Sequence, residues 1–430
     1  MALASAATFA AVLASYAAFR PVRDALVLDG DPDQLPWLFL GTFAAIAIVS
    51  PAWSAVLGRA RPRRAVPRAL HAFAACALGF AAIVRAGVAP LVVGRAFYVW
   101  SAVFNLFVVS VVWSLLADLL GPGTARRLYG PIAAGGTVGT LVGPWLTQHV
   151  VGAIGVAGVL AMSAALLELG ALGVSWVRRA GARLAREEAA RATSASSSSS
   201  SSSPSPPAAP ADAPEVGGAL AGGSALTGIA HVARSPYLRA LVGYVLCTAC
   251  AATFLYLAQA RLVHAALAGR EARTAFFASL DVWTALITLA LQLAVARPAL
   301  GWLGPGVVLC ALPIAQAAGL GALALAPSLG VLAVAQVATR AATHGLTRPA
   351  RELLFTVVSR DDKYRAKHAI DTVAYRLGDV AASWVHRGLI ALGAGAGAIA
   401  LVALPMIAGW AALGLALGAG FRRRLRAPDA

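Results

Sequence analysis

Apolar runs long enough to cross a bilayer recur along this chain of 430 residues, and no other feature limits its folding as much. About 20 apolar residues in a helix match the ~30 Å of hydrocarbon in a membrane. A soluble domain carries roughly 25% charged residues. This chain carries 12%, with 59% hydrophobic residues and a mean hydropathy of +0.76. Inside lipid every backbone N–H and C=O needs an internal partner, which leaves helices or a closed barrel. Runs such as AAIAIVSPAWSAVLG, residues 44–58, lack the period-2 alternation of a barrel strand. The expected fold class is therefore all-α, a polytopic protein whose first partner is the lipid bilayer.

Twelve spans follow from the pattern: residues 3–28, 36–58, 69–87, 93–120, 128–150 and 152–177, then 236–262, 274–297, 300–326, 328–346, 365–390 and 392–420. Met1 to Ala18 holds no charge, and a secretory leader wants a basic region ahead of its apolar core, so the first run reads as a retained helix. Between the two sets of six, RRAGARLAREEAAR leads into a serine run from Ser196 to Ser203 and a Pro/Ala/Gly stretch. Such composition cannot bury enough apolar surface to offset its ordering entropy. The expected organisation is a bundle over 1–177, a disordered linker over 178–235 and a second bundle over 236–430 with a basic tail.

The formal net charge of +17 would point to nucleic acid if it formed a stripe on a soluble domain. Instead the basic residues sit in short loops between apolar runs, where they set orientation. Arg59, Arg61, Arg63, Arg64 and Arg68, the linker arginines, the stretch from Arg348 to Lys367 and the tail from Arg422 to Arg426 fall on one side. Chiefly Arg85, Arg95, Arg261, Arg270, Arg273 and Arg387 fall on the other. The bias predicts both termini in the cytoplasm of a multi-pass inner-membrane protein, with no nucleic-acid partner.

Sequences that superficially resemble cofactor motifs lack the required context. AAGGTVGTLVG and ALGAGAGA follow no strand, so they read as close helix packing rather than phosphate loops. CTAC, with Cys247 and Cys250, lies in an apolar run without a second pair and reads as packed helix thiols. No nucleophile–base pair or metal-ligand spacing is found. No cofactor, metal or enzymatic activity is expected.

Charges in the spans carry the functional signal, since one near the bilayer centre costs at least ~2.5 to 3.5 kcal/mol. In FRPVRDAL, Arg20, Arg23 and Asp24 share a helical face beside Pro21, facing either the bundle interior or the outer interface. In WSLLADLLGPGTARRLYG, Asp118 and the pair Arg126 and Arg127 flank a Gly-Pro-Gly break, the layout of a gating salt bridge at the cytoplasmic mouth. Asp281, in FFASLDVWTALITLALQLAV, is the leading candidate for a protonatable carboxylate, which burial would neutralise and a nearby arginine would hold ionised. The densest group is Arg340 followed by RPARELLFTVVSRDDKYRAKHAIDTVAYRLGD. It holds Arg351, Glu352 and Lys367 in a cytoplasmic loop, and Asp371, Arg376 and Asp379 entering the eleventh span.

Six spans, a basic linker and six more resemble the major facilitator architecture, in which two bundles flank a central cavity. Offset by 239 positions, Arg126, Gly139 and Trp145 fall opposite Arg365, Gly378 and Trp384. At the charged clusters the chain resembles the ATP/ADP translocase family of plastids and intracellular bacteria. FRPVRDALVL is similar to that family's R-x-x-K-D segment, with Arg23 and Asp24 at the basic and acidic positions. LLADLLGPGTARRLYGPIAAGG is similar to its junction between helices 4 and 5. RELLFTVVSRDDKYRAKHAIDTVAYRLGD matches its K-E-M-A-Y block at Arg351, Glu352, Lys367, Asp371 and Arg376.

Departures from that pattern bear on cargo. The family's R-L-G-K-S becomes Arg376, Leu377, Gly378, Asp379, Val380, a charge reversal. Its acidic positions in helices 4 and 7 are missing: SAVFNLFVVSVVW and FLYLAQARL offer only Asn105 and Gln259. A nucleotide with three or four negative charges needs basic partners. The resemblance implies a monomeric secondary transporter of a small, anionic solute, nucleotide or phosphorylated metabolite. A proton-coupled carrier of another solute, and a non-transporting receptor or complex subunit with the same fold, stand as alternatives.

Overall fold

The computed structural model describes residues 2–59, 62–119, 122–196, 235–358 and 373–426. Among them every regular element is helical: α1 (Ala2–Val27), α2 (Leu35–Arg59), α3 (Pro62–Ala86), α4 (Pro90–Leu119), α5 (Pro122–Ser196), α6 (Pro236–Ala266), α7 (Arg270–Ala290), α8 (Arg297–Trp302), α9 (Gly304–Leu325), α10 (Leu329–Ala342), α11 (Arg348–Leu354), α12 (Tyr375–Ala391) and α13 (Ala396–Arg426). Nine segments of the described residues are long and apolar enough to cross a membrane. The Gly130–Arg179 segment is 50 residues long and is interrupted at Gly155, whose φ of 67° suits only glycine at low cost, so spans 5 and 6 meet there. α10 and α12, of 14 and 17 residues, are too short to enter the nine. Residues 178–196, expected to open the disordered linker, instead continue α5 to Ser196. Their Ala, Arg and Glu are strong helix formers, which outweigh the missing apolar face. The rest of the expected linker, 197–234, lies outside the described residues.

Capping and proline chemistry set several ends. Ser235 accepts from the Leu238 N–H ahead of Pro236, and Ser328 accepts from the Val331 N–H to start α10. Two wide π-type turns, Leu291–Ala296 and Thr343–Thr347, each precede a proline at the start of a short helix, Pro298 and Pro349. A proline ring clashes with the carbonyl four residues back, here Ala294 and Gly345, and a widened turn relieves it. The two wide turns pack together, with Gln292 Nε2 donating to His344 O at 3.2 Å.

Contacts divide the chain into two units, Met1–Val22, Val49–Val88 and Trp100–Gly218 in the first, and Arg23–Ile48, Ala89–Val99 and Ala219–Ala430 in the second. In the first unit α1 lies on α5 along a stripe of small residues. A Cβ on Gly135, Gly139 or Gly143 would meet the backbone of Ala6, Ala10 or Ala14. Backbones this close gain van der Waals contact that larger side chains would prevent. Further along the same seam Thr147 donates to Ala18 O at 2.9 Å, and beyond the Gly155 break Ser15 and Ser163 exchange hydrogen bonds with each other's carbonyls at 2.8 Å. Gly139→Leu is expected to destabilise the first unit by about 3 kcal/mol or more, above the usual overpacking cost of ~1 to 3 kcal/mol because backbone, not a flexible side chain, blocks the space. Thermal unfolding in detergent checks this, and an unchanged midpoint would contradict the packing. In the second unit α9 crosses α13 at Gly306 and Gly418, and α6 packs on α12 and α13 with Tyr244 donating to Leu309 O at 2.8 Å.

Candidate functional site

Three of the second unit's arginine–aspartate pairs join charges that lie within apolar runs. On α1, just past Pro21, Asp24 is 8% exposed and takes both Nε and Nη2 of Arg23 on Oδ1, at 2.9 and 2.6 Å. The Tyr256 hydroxyl of α6 donates to the same oxygen at 3.1 Å. Arg23 also lies over the Tyr98 ring, 5.2 Å from its centroid, and Tyr98 and Tyr256 share a hydrogen bond. Phe39 of α2 meets both tyrosine rings edge-on, at 6.4 and 5.9 Å. Charge, hydroxyl and ring contacts thus fix Arg23 from three sides.

The second pair is Arg376 and Asp379 on α12, three residues apart with N···O 3.5 Å. Asp379 is 7% exposed and also accepts from Thr253 Oγ1 at 3.0 Å. Gly378 between them has a packing reason: a Cβ there would stand 2.7 Å from the Ala249 Cβ, so α12 can approach α6 only with glycine. That approach brings Asp379 opposite Thr253. Cys250 points its thiol at Gly378 O, 3.6 Å away. Thr253, Tyr256 and Gln259 follow at three-residue spacing on α6, so one face of this helix serves both pairs, with Gln259 buried at 4% exposure. Thr253 and Tyr256, three residues apart on α6, each reach one of the two aspartates, so this helix links the two pairs.

The third pair joins α7 to α10. Asp281, 9% exposed, meets Arg340 at 2.7 Å. The carboxylate read from sequence as protonatable therefore has a guanidinium against it.

Other residues singled out in the sequence lie outside these pairs or beyond description. Arg20 on α1 and Asn105 on α4 are half-buried and belong to the first unit. On α11, Arg351 is half-buried and Glu352 is exposed. Asp118, Arg126 and Arg127 fall in α4 and α5, but their side chains lie outside the described residues, as do Lys367 and Asp371 altogether. The residues missed are Tyr98, Tyr256, Thr253 and Phe39. For the tyrosines and Thr253 the signal was a hydroxyl inside an apolar run, FYVW or TFLYLA, whereas Phe39 carries none. Among the described residues no group of three His, Cys, Asp or Glu could hold a metal.

Long apolar helices packed around buried, paired charges make this the fold of a polytopic helical membrane protein. Residues 309–421 match the family described as TLC ATP/ADP transporter. Among solved structures, the nucleoside transporter NupG is 13% identical with a TM-score of 0.58, over 99% of this chain and 98% of its own. The POT family transporter PepTSo is 12% identical with a TM-score of 0.59, over 100% and 98%. A bacterial homolog of the human lysosomal transporter Spinster, in an inward-facing and unoccupied conformation, is 15% identical with a TM-score of 0.57, over 98% and 97%. No curated protein matches the chain.

Proposed function

We propose that this chain is a non-enzymatic, monomeric carrier of the inner membrane that moves a small polar solute with no large surplus of negative charge. Its twelve spans form bundles over 1–177 and 236–430, with the 178–235 linker and both termini in the cytoplasm. Alternating access works by rocking one bundle against the other about a midplane site. The observation that carries the cargo assignment is the pairing: Arg23, Arg340 and Arg376 each stand against an aspartate of their own. A polyanionic nucleotide drawn to any of these arginines would have to displace its carboxylate, which would then repel it. A solute that offers hydrogen-bond donors and acceptors, received by Tyr98, Tyr256, Thr253 and Gln259, meets no such opposition.

Nucleotide exchange is the second reading, favoured by the family match over 309–421. Titration of ATP and ADP against the purified protein decides between them. The expected result is no saturable heat or fluorescence change, while a panel of uncharged and zwitterionic solutes gives counterflow in proteoliposomes. Saturable ATP or ADP binding would overturn the assignment.

A further inference from the structure

Helix α6 has a second working face. Phe254, Ala258, Arg261 and Ala265 recur at three- and four-residue spacing, and at roughly 100° of turn per residue they stand on the opposite side of the helix from Thr253, Tyr256 and Gln259. With Leu320 and Leu323 of α9, His386 of α12 and Ile399 of α13 they wall a cavity of about 390 Å³, a volume in the range of small-ligand sites. α6 ends at Ala266, α9 at Leu325 and α12 at Ala391, and α13 begins at Ala396, so the cavity opens where four helices reach one membrane face. Pro327 and Gly395, exposed in the loops there, line its mouth. The wall is hydrocarbon except at Arg261 and His386. Arg261 is engaged by Asp33. His386 is 4% exposed, its ring lies 5.7 Å from that of Phe254 between centroids, and it makes no hydrogen bond among the described residues. A buried polar group is nearly always hydrogen-bonded, so this imidazole points to a partner from outside the chain.

We propose that this cavity holds one acyl chain of a membrane phospholipid, whose ester carbonyl accepts a hydrogen bond from His386. Water does not fill an apolar cavity, whereas a lipid tail, as apolar as leucine, does. The depth fits as well. His386 lies five residues inside the end of α12, about 7.5 Å at the helical rise, where the ester groups of a bilayer give way to hydrocarbon. Phe254 lies twelve residues inside the end of α6, about 18 Å, so a chain that passes His386 still has apolar wall ahead of it. A neutral imidazole offers one N–H and one acceptor, and an ester offers acceptors alone, so the ring donates. A free fatty-acid carboxylate fits less well, because Arg261 already has Asp33 as its counter-charge. The bound chain takes the place of side chains that α6, α9, α12 and α13 do not supply there, on the far side of α6 from the paired charges.

The test uses the full chain in phosphatidylcholine vesicles that hold a tracer phosphatidylcholine with a photoreactive diazirine at the end of one chain, ester-linked in one preparation and ether-linked in another. After illumination, mass spectrometry reads the modified residues. Phe254, Leu320 and Leu323, 6% to 8% exposed, are expected to carry label, because only a chain inside the cavity reaches them, while Val334, 71% exposed, reports ordinary bilayer contact. Ala258→Leu with Ala324→Leu fills the cavity and should abolish the first set of labels and keep the label on Val334. Should that variant fail to fold, the two tracers still decide. The ester form should label the cavity about threefold or more above the ether form, the worth of one hydrogen bond, and His386→Phe should erase the difference. No label on Phe254, Leu320 and Leu323, or label that the filled variant keeps, would overturn the site. Equal labelling by both tracers in the parent chain would overturn the bond to His386. Cavity label displaced by the methyl ester of the same chain, with Val334 unchanged, would give the cavity to a single-chain solute and overturn the phospholipid.

Discussion

Asp281→Asn is expected to cost about 3 to 5 kcal/mol of stability, the range for stranding one member of a buried ion pair. The aspartate is 9% exposed and its partner Arg340 22%, with 2.7 Å between them, so little water reaches either group once the carboxylate is neutralised. The pair also ties α7 to α10, each of which runs on into a wide turn, so its loss loosens two helices rather than one side chain. Thermal unfolding of the detergent-purified protein measures the effect. The double change Asp281→Leu with Arg340→Met should recover most of the loss, because the desolvation of both charges disappears together. A single Asn variant as stable as the parent would mean that Arg340 is not held by Asp281.

Buried pairing explains why some of the site was legible and some was not. Arg23, Asp24, Asp281, Arg340, Arg376 and Asp379 announce themselves, since a charge in an apolar run has few places to go. A spacing of three positions from Arg376 to Asp379 also places them on one helical face, and they meet. That Asp281 would find Arg340 is not written locally: they lie on different helices, and only packing brings them together. Tyr98 and Tyr256 are harder still. A membrane tyrosine usually marks an interface, and only the fold reveals that the Tyr256 hydroxyl reaches a buried carboxylate while Tyr98 bonds to Tyr256. The helices themselves were readable from hydropathy to within a few residues, but the α5 extension to Ser196 was not, because the argument from missing apolar surface ignored local helix propensity. The turn between α1 and α2 that packs against Arg261, Arg270, Arg273 and Arg387 was visible only as an exception to the loop-charge rule.

Asp24→Asn should act as strongly as Asp281→Asn, and its neighbours make the reason separable. Asp24 Oδ1 receives two bonds from Arg23 and one from Tyr256, so the carboxylate is the centre and the tyrosine a contributor. Tyr256→Phe removes a single hydrogen bond to a charged group, worth about 1.5 to 3 kcal/mol at most. Asp24→Asn keeps the shape and an accepting oxygen but leaves the Arg23 guanidinium, 16% exposed, without its counter-charge, for about 3 to 5 kcal/mol. The Arg376–Asp379 pair, at 3.5 Å and with Arg376 31% exposed, should respond less than either, because water can screen the stranded arginine. The expected order of destabilisation, measured side by side as thermal midpoints, is therefore Asp24→Asn and Asp281→Asn first, then Tyr256→Phe. If Tyr256→Phe proves as damaging as Asp24→Asn, the hydroxyl rather than the ion pair organises this end of α1. The cation lying over Tyr98 would then be held by the ring more than by the carboxylate.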